Sequence, residues 1–513
     1  MRSLTKLFSS LIFSISLISL FSSCTQETKE TRPNIIYILA DDLFYGDVSS
    51  MNPDAAWQTK NIDQIALEGI RFTDAHTGSA VCTPTRYGVL TGRYSWRTRL
   101  KHGVLWSWDP PLIQEGETTV GKVLQKQGYN TACVGKWHLG LGWQYHATAK
   151  DSVDFSRAVS GGPTTLGFDY FFGIAASLDI PPYVYIENDR PTMVPVNYTQ
   201  DTSAYGWWRF GLTGADFVHE EVLPVLTRKA VAFIDNHMAT EAEKPFFLYF
   251  PLPAPHTPIL PTDEFKGKSA TNPYGDFVLQ VDHTVGQILD ALEKHGISDE
   301  TLIIFTSDNG CSPQANFQEL AGYGHNPSYV FRGHKADIFE GGHRVPFMAR
   351  WPGHIKAGTE NQQVICLTDL LATVADITDA SPDPAAGVDS YSLLPAFLGK
   401  DEQAIREATV HHSVNGSFAI RKGKWKLILC PDSGGWSEPK PGSPEAAELP
   451  GFQLYDLASD PAEQQNLVDN YPDEVRELRE LLESYIRTGR SNQGPKQENT
   501  TVEHWPGTDW MNN

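Results

Sequence analysis

Four strongly apolar runs constrain the fold of this chain of 513 residues more than any other feature. Each run is short, rich in β-branched and aromatic residues, and followed at once by polar residues. Unbroken apolar runs of this length are typical of strands buried on both faces, as in a largely parallel sheet covered by helices. The four predicted strands are residues 34–40, 129–134, 245–250 and 302–306.

Helical patterns alternate with these runs. Gly296 follows the last of them and is a predicted C-cap. Strands that alternate with helices predict a doubly wound α/β fold, in which ligands bind beyond the carboxyl ends of the strands. The predicted helices are residues 62–68, 120–127, 216–236 and 275–294.

Polar side chains that can carry chemistry follow all four predicted strands. Because the carboxyl ends of parallel strands meet at one edge of a sheet, these side chains are expected to share one site. In chain order they are Asp41 and Asp42, Lys136 and His138, His256, and Asp308 and Asn309.

The pattern of predicted elements changes after about residue 399, from alternating strands and helices to short strands and loops. A strand pair over residues 417–429, a strand at 454–457 and a helix over 474–487 predict a smaller α+β domain, with a loop at 431–450. The predicted segments are a signal peptide (1–23), a tether (24–32), a catalytic domain (33–399), the C-terminal α+β domain (400–490) and a polar, poorly ordered tail (491–513).

The first residues predict export. Arg2 and Lys6 precede an apolar stretch, residues 7–21, that is too short for a confident membrane span and ends in small residues before Cys24. This ending resembles a bacterial lipobox, which implies lipidation of Cys24. The alternative is an ordinary secretory signal with an accidental cysteine. The lipobox predicts a lipid-anchored protein of the periplasm, outer membrane or cell surface, bound to the membrane through its anchor alone.

Net charge and cysteine usage narrow the class of protein. A formal charge of −21 argues against nucleic acid as a partner, and an anionic substrate would need local basic residues and a metal to reverse the charge. The six cysteines include no C-x-x-C pair and no zinc spacing. Whether Cys133, Cys311, Cys366 and Cys430 form disulfides stays open at this point.

The most specific motif is Cys82-Thr83-Pro84-Thr85-Arg86, continued by Leu90-Thr91-Gly92-Arg93. It resembles the signature of type I sulfatases, in which the cysteine is oxidised to Cα-formylglycine after translation. The resemblance extends from about residue 33 to about residue 470. It includes the segments 41–42, 135–140, 255–258, 308–310, 332–335, 340–346 and 454–461.

The resemblance implies a fold, a maturation step and a reaction. The fold would be alkaline-phosphatase-like, with a mixed, mostly parallel sheet between helices. A formylglycine-generating maturase would act on Cys82, and Thr85, where serine is commoner, keeps the hydroxyl. The reaction would be hydrolysis of a sulfate ester, through attack on sulfur by the hydrated formylglycine and a sulfated enzyme intermediate.

The oxygen donors after two of the strands suit a hard cation. Asp41, Asp42, Asp308 and Asn309 offer carboxylate and amide oxygens, which favour Ca²⁺, with Mg²⁺ second; in the family the modified Cys82 also binds the metal. Either pair alone is more often a turn or a helix cap.

The remaining roles also follow from the resemblance. Arg86 would hold the hydrate, His138 would hydrogen-bond to it, and Asp308 would assist its deprotonation. Lys136 and Lys335 would bind sulfate oxygens, although a lone lysine is usually a solvated surface charge. His256 would be the general acid for the leaving alcohol, although a single histidine after a strand is more often structural.

The expected substrate is a sulfated carbohydrate, with a 6-sulfated galactose or N-acetylgalactosamine type favoured by the resemblance. Candidate sugar contacts are basic and aromatic residues near the motif loops. They are Trp106, His325, Arg332, His334 and Arg344, with Arg97, Trp108, His343 and the segment 207–209 as further candidates. Two alternative functions are a phosphate or phosphonate monoesterase of the same fold, and a non-catalytic glycan-binding protein that kept the fold.

Overall fold

A ten-stranded mixed sheet forms the centre of the molecule, in a computed structural model that describes residues 32–146, 149–499 and 505–512. The predicted signal peptide, Cys24 and nearly all of the predicted tether lie outside these residues. In chain order the strands are β1 (Asn34–Asp41), β2 (Ile70–Phe72), β3 (Ala75–His76), β4 (Asn130–Lys136), β5 (Tyr145–His146), β6 (Ala149–Val153), β7 (Tyr170–Ile174), β8 (Ile186–Glu187), β9 (Arg190–Pro191), β10 (Asn197–Asp201), β11 (Trp208–Thr213), β12 (Phe246–Pro255), β13 (Thr301–Ser307), β14 (Phe347–Arg350), β15 (Thr359–Asn361), β16 (Ile365–Cys366), β17 (Thr409–His412), β18 (Phe418–Lys422), β19 (Trp425–Ile428) and β20 (Gln453–Asp456).

The central strands are the four that the apolar runs predict. The order across the sheet is β15-β2-β14-β13-β1-β12-β4-β7-β8-β9, and β13, β1, β12, β4 and β7 are mutually parallel. Antiparallel pairing at β14 and β8 makes the sheet mixed. Every residue of β1, β12 and β13 is buried, as expected of strands covered on both faces. The predicted fold class is therefore confirmed.

Helices cover this sheet in two groups. One group, α1, α4 and α5, packs together and against β12 and β13, and the other consists of α2, α3 and α8. The helices are α1 (Lys60–Leu67), α2 (Cys82–Thr91), α3 (Val120–Lys126), α4 (Val222–Thr240), α5 (Pro273–His295), α6 (Phe317–Gly322), α7 (Glu340–His343), α8 (Leu370–Ile377), α9 (Leu394–Phe397), α10 (Pro444–Ala447) and α11 (Pro472–Thr488).

The longest helix shows why these segments are helical. Asn272 caps the start of α5 by accepting hydrogen bonds from the backbone N–H groups of Tyr274 and Gly275, and Pro273 occupies the first turn. Gly296 ends the helix with a φ of 67°, as the sequence predicts. Its apolar stripe is buried against the sheet, so propensity, capping and burial all favour the same element.

A four-stranded antiparallel sheet, β17-β18-β19-β20, forms the C-terminal part, and α11 packs against β18 and β19. The tail prediction is wrong for part of the tail: Trp505 and Trp510 are buried in the apolar cluster of this region. The Trp505 ring lies 4.3 Å from Phe418 and 6.2 Å from Trp96, between centroids. Burial of the two indole rings stabilises this part of the tail against the body of the protein, although most of the surrounding residues are polar.

Two further observations concern the helices and the cysteines. Among the described residues, the helices are too short or too polar to cross a membrane. The five cysteines in the described part of the chain are free and buried, namely Cys82, Cys133, Cys311, Cys366 and Cys430.

Candidate active site

Strand register brings the predicted polar residues to one edge of the sheet. Ala40 of β1 pairs with Ser307 of β13, so Asp41 lies beside Asp308, whose N–H donates to the Ala40 carbonyl at 3.1 Å. Asp41 also pairs with Pro255 at the end of β12, immediately before His256. Residues about 270 positions apart in sequence therefore meet because their strands are parallel neighbours.

Asp42 adopts a left-handed conformation, with a φ of 62°, directly after β1. This backbone region is sparsely populated by non-glycine residues, and strain of this kind is often found at functional sites. The carboxylate accepts hydrogen bonds from Asn309 Nδ2 at 2.6 Å and from Lys335 Nζ at 2.8 Å. Asp42 thereby connects the first strand to the two loops that follow β13.

Cys82 is the first residue of α2 and is only 2% exposed. The N-terminus of a helix favours negative charge on the groups in front of it. Burial nevertheless raises the pKa of the Cys82 thiol to about 12, against the opposing effect of Lys136 and Lys335. The thiol is therefore neutral at physiological pH, and an unmodified Cys82 is a poor nucleophile.

A buried ion network lies below Cys82. Arg86, one turn further along α2, donates to Asp308 Oδ2 from Nε at 3.0 Å and from Nη2 at 2.6 Å. Lys136 at the end of β4 donates to Asp41 Oδ2 at 2.5 Å. Lys136 and Lys335 are both buried, at 0% and 5% exposure, so neither is a solvated surface charge. Three carboxylates and three cations thus balance inside the protein.

The network shifts its carboxylates in different directions. Burial alone would raise the pKa of Asp41, but Lys136, His256 and Arg86 hold the pKa well below its usual value. Burial, and then the charge of Asp41, raises the pKa of Asp308 to about 6. Asp308 is therefore mostly ionised at neutral pH, yet its carboxylate is more basic than that of Asp41.

Close packing of two strands positions Lys136. Gly135 has a φ of 139°, and a Cβ at this position would lie 1.9 Å from the carbonyl oxygen of Pro251 on β12. Only glycine permits this approach of β4 to β12.

The two predicted histidines have distinct surroundings. His138 is buried with a φ of 54°, and its Nε2 donates to the Leu105 carbonyl at 2.8 Å. Burial, followed by Lys136 and Arg86, holds the pKa of His138 well below its usual value, so its Nδ1 is an acceptor. His256 Nδ1 donates to the Thr257 carbonyl at 2.6 Å, which leaves Nε2, 3.7 Å from Asp42 Oδ2, to exchange a proton.

The donor atoms of this cluster suit a hard cation. Ligand atoms of Asp41, Asp42, Cys82 and His256 lie within 4.8 Å of one another. Asp41 Oδ1 and Asn309 Oδ1 are buried and have no hydrogen-bond partner among the described residues. Buried oxygens without partners are costly unless a cation occupies the space between them. The residues therefore fit a calcium ion, or magnesium, held by oxygen ligands.

A pocket of about 550 Å³ opens above Cys82. Cys82, His138, His256 and Lys335 contribute to its inner surface. Its outer wall contains residues that can bind an organic substrate, namely Arg99, His102, Trp106, Asp109, Ser177, Asp179, Arg209 and Trp436.

Of the five candidate sugar contacts, only Trp106 lines this pocket. The other four are not among its lining residues, and each contacts a partner elsewhere in the protein. His325 Nε2 bonds to Asp47, Arg332 to the Glu463 carbonyl, His334 Nδ1 to the Lys335 carbonyl, and Arg344 to the Thr73 carbonyl. Arg97 and His343 are fully buried and do not line the pocket, while Arg209 of the segment 207–209 does.

Asp179 is a pocket residue that the sequence interpretation missed. It is 9% exposed and ion-paired with Arg209, and its Oδ1 lacks a hydrogen-bond partner in the described part of the chain. The apolar run that forms β7 precedes it, and recognising that run as a fifth buried strand would have drawn attention to the residues after it. Trp436 gave no such signal, because it lies in a loop rich in glycine, proline and serine.

Comparison with known proteins places the chain among characterised relatives. A family model described as Sulfatase matches residues 33–380. The N-acetylgalactosamine-6-O-sulfatase of Bacteroides thetaiotaomicron is 34% identical, over 91% of this chain and 97% of that protein. Human arylsulfatase A is 32% identical, over 88% of this chain and 86% of that protein.

A comparison with solved structures also identifies a sulfatase from Bacteroides thetaiotaomicron. A structure from work on the metabolism of multiple glycosaminoglycans by Bacteroides thetaiotaomicron has a TM-score of 0.77 and 34% identity, over 88% of this chain and 99% of that chain. The similarity includes the large sheet and the smaller C-terminal sheet.

Proposed function

This chain belongs to the sulfatase family, and from that premise we propose that it removes the 6-sulfate from a galactose-type sugar, N-acetylgalactosamine or galactose, in a sulfated glycan. The observation that carries the proposal is the position of Cys82. It begins a buried helix at the base of a pocket, with oxygen donors and two buried lysines grouped around it. The relatives named for 6-sulfatase activity support the position of the sulfate.

We propose that Cys82 acts after conversion to formylglycine and that Asp41, Asp42, Asp308 and Asn309 hold Ca²⁺. The hydrated aldehyde supplies an oxygen nucleophile, and the ion supplies positive charge for anionic oxygens. The high pKa of the unmodified thiol supports the need for conversion. Since Cys82 is buried in the folded chain, the maturase is expected to act before folding is complete.

Charge complementarity supports an anionic ester as substrate. The three carboxylates and three cations balance, so a bound divalent cation gives the site a net positive charge. Lys136 and Lys335 are then available as donors to sulfate oxygens. Arg86 keeps Asp308 oriented and ionised, and Asp308 can accept a proton from the nucleophile.

His256 is the proposed general acid for the sugar hydroxyl that leaves. It lines the pocket, and the hydrogen bond from Nδ1 to Thr257 fixes which ring nitrogen faces the reaction. His138 offers Nδ1 as an acceptor to the nucleophile. His138 acts in the tautomer that the Leu105 carbonyl imposes. His256 gives up the Nε2 proton of its imidazolium form and returns to the neutral ring, in which Nδ1–H still donates to Thr257.

The outer wall of the pocket suits a sugar ring. Trp106 is 51% exposed, and the Cζ atom of Arg209 lies over its ring, 5.1 Å from the ring centroid. This cation–π contact holds the Trp106 ring in place. Asp179 Oδ1 can accept a hydrogen bond from a sugar hydroxyl. An aromatic face beside a carboxylate is a combination typical of carbohydrate sites.

The test is expression without residues 1–24 in a host that matures sulfatases, followed by peptide mass measurement at Cys82. Sulfate release is then compared for 6-, 4-, 3- and 2-sulfated N-acetylgalactosamine or galactose, with aryl sulfate and aryl phosphate in parallel. The expected result is an aldehyde at Cys82 and release from the 6-sulfated isomer. Release from another isomer would refute the assigned position, and faster turnover of aryl phosphate would favour a phosphomonoesterase.

Metal binding has its own test. After chelation, Ca²⁺ at 100 times its dissociation constant should stabilise the protein by about 2.7 kcal/mol, and Mg²⁺ at the same concentration by less. Asn309→Leu, which removes one oxygen donor, should reduce this gain in thermal denaturation. An equal gain in the variant would show that the ion binds elsewhere.

We also propose export and anchoring through Cys24, supported by the basic start and the apolar residues 7–21. The full chain should fractionate with membranes, and Cys24→Ala should release it. Retention of the variant in the membrane fraction would contradict the lipid anchor.

A further inference from the structure

A second cavity, of about 970 Å³, lies beside the pocket that opens above Cys82. We call the pocket above Cys82 the catalytic pocket, in line with the proposed function. The walls of the second cavity come from the turn at residues 106–109, from the paired strands β5 and β6 with residues 154–156, and from the paired strands β10 and β11 with residues 194–195. We call it the aromatic groove. The lining residues are Trp108, Tyr145, His146, Ser152, Val153, Asp154, Phe155, Ser156, Val194, Pro195, Tyr198 and Leu212.

The aromatic groove and the catalytic pocket share two walls. In the turn at residues 106–109, Trp106 and Asp109 line the pocket while Trp108 lines the groove. On β11, Arg209 lines the pocket and Leu212 lines the groove. Two residues of extended chain span at most about 7 Å, so the cavities are separated by little more than one turn. A chain-like ligand that fills the pocket can continue into the groove.

The turn between the cavities is held rigidly. Asp109 accepts a hydrogen bond from the Trp106 N–H at 2.6 Å, and the Trp143 indole donates to the Ser107 carbonyl at 2.7 Å. The ring centroid of Trp108 lies 6.0 Å from that of Trp143 and 6.3 Å from that of Phe155. Trp108 is therefore fixed from behind while 40% of it remains exposed.

Aromatic rings on β5 and β10 complete an exposed apolar surface. Tyr145 is 43% exposed and Tyr198 is 59% exposed. Tyr198 stacks on Phe210 with 5.1 Å between centroids and 10° between ring planes, so this ring too is supported. Large, supported rings left in water around a cavity indicate a ligand-binding surface.

The polar residues of the groove favour an uncharged ligand over an anion. Neither lysine nor arginine occurs among its described lining residues, in contrast to the catalytic pocket. Asp154 accepts hydrogen bonds from the N–H and hydroxyl of Ser156, and its Oδ2 lies 3.7 Å from His146 Nδ1. This carboxylate would repel an anion, and Arg157, the cation close enough to interact with Asp154, is not among the residues that line the groove. Hydroxyl groups, by contrast, can bind to the carboxylate and to both serines.

We propose that the aromatic groove binds uncharged sugar residues that flank the sulfated sugar in an oligosaccharide. The proposal rests on the proposed function, since it extends the same substrate beyond the catalytic pocket. Apolar sugar faces would stack on Trp108 and Tyr198, and hydroxyls would bind at Asp154. The chemistry disfavours uronic acids at these positions. The enzyme therefore selects neutral-backbone glycans over glycans that alternate with uronic acids.

The test compares substrates that share one sulfated sugar. One is the 6-sulfated monosaccharide, the second carries it on a neutral chain of hexose and N-acetylhexosamine, and the third carries it on a chain with uronic acid. Trp108→Ala and Tyr198→Ala should each raise KM for the neutral oligosaccharide by about 3- to 10-fold and leave the monosaccharide unchanged. Tyr323→Ala is the matched control, because Tyr323 is 49% exposed and lines neither cavity.

Direct binding separates this proposal from the proposed function. Titration of an unsulfated neutral tetrasaccharide should show binding to the full-length enzyme and weaker binding to Tyr198→Ala, whose side chain is mostly exposed and can be removed without loss of fold. A wild type inactive on every sulfated sugar would overturn the proposed function, and the titration would still test the groove. An absence of tetrasaccharide binding, an equal KM increase on the monosaccharide, or equal use of the uronic acid substrate would overturn the groove assignment.

Discussion

Histidines of this protein illustrate how much a residue's chemistry depends on its immediate partners. His256 donates from Nδ1 to a backbone carbonyl and keeps Nε2 at the pocket, whereas His138 donates from Nε2 and keeps Nδ1 as an acceptor. His325 has Asp47 at one ring nitrogen and the Ala56 N–H at the other, so both are occupied. Identical side chains thus become a candidate acid, an acceptor and a structural link.

His256→Ala should lower kcat on a 6-sulfated sugar on the order of 10²–10⁴-fold, because the departing sugar oxygen then lacks a proton donor. An aryl sulfate, whose leaving group is stable without a proton, should lose much less. Steady-state kinetics on both substrates measure the difference. His283→Ala, at an exposed position of α5, is the matched control. Equal losses on both substrates would contradict the role as general acid.

Sequence motifs predict the residues grouped around Cys82 at the base of the pocket, but few of those on its outer wall. Asp41, Lys136 and Asp308 follow apolar runs, so pattern and chemistry coincide at those positions. Arg332 and Arg344 also stand in motif segments, yet their guanidinium groups bind backbone carbonyls on other elements. Which partner a long side chain reaches depends on tertiary packing, and a linear pattern carries no information about it.

The packing of a secondary-structure element can fix the position of a site residue, as β4 does for Lys136. The neighbouring strands β12 and β7 are both parallel to β4, and the Gly135 backbone lies against the Pro251 carbonyl. The strand itself was predictable from its apolar run. The closeness of its approach to β12 was not, since it depends on two backbones rather than on side-chain pattern.

Gly135→Ala should destabilise the protein by about 3 kcal/mol or more and reduce activity, because the added methyl displaces β4 and with it Lys136. Urea denaturation and sulfate release measure the two effects. Gly128→Ala is the control: its φ is also positive, at 86°, but a Cβ there meets no atom within 4 Å. It should cost about 1 kcal/mol and leave activity intact. Equal costs would indicate that backbone strain alone matters at Gly135.

Buried histidines make the stability of the whole molecule depend on pH. His76, His343 and His411 contact one another where the C-terminal sheet meets the main body, and His412 follows on β17. Burial lowers the pKa of His412 from its usual value to about 4. The folded chain therefore keeps this ring neutral at a pH at which the unfolded chain has already bound a proton.

The sign of the dependence follows from that difference. Between about pH 6.5 and pH 4 the unfolded state binds more protons at His412, so stability present above pH 6.5 is lost as the pH falls. The contribution is up to about 3 kcal/mol across this range. His412→Gln should show a shallower decline of the free energy of unfolding over the same range, with His283→Gln as control. Parallel declines in wild type and His412→Gln would refute the assignment.

The two indoles near the chain end have a practical consequence for protein engineering. Trp505 covers Trp96 and Phe418. A protein truncated after residue 490 would therefore expose an apolar, aggregation-prone surface to solvent. Such a fragment is expected to self-associate and to be lost during purification, even though it retains every residue grouped around Cys82. Affinity tags are better joined beyond residue 513 through a spacer than substituted for the last two dozen residues.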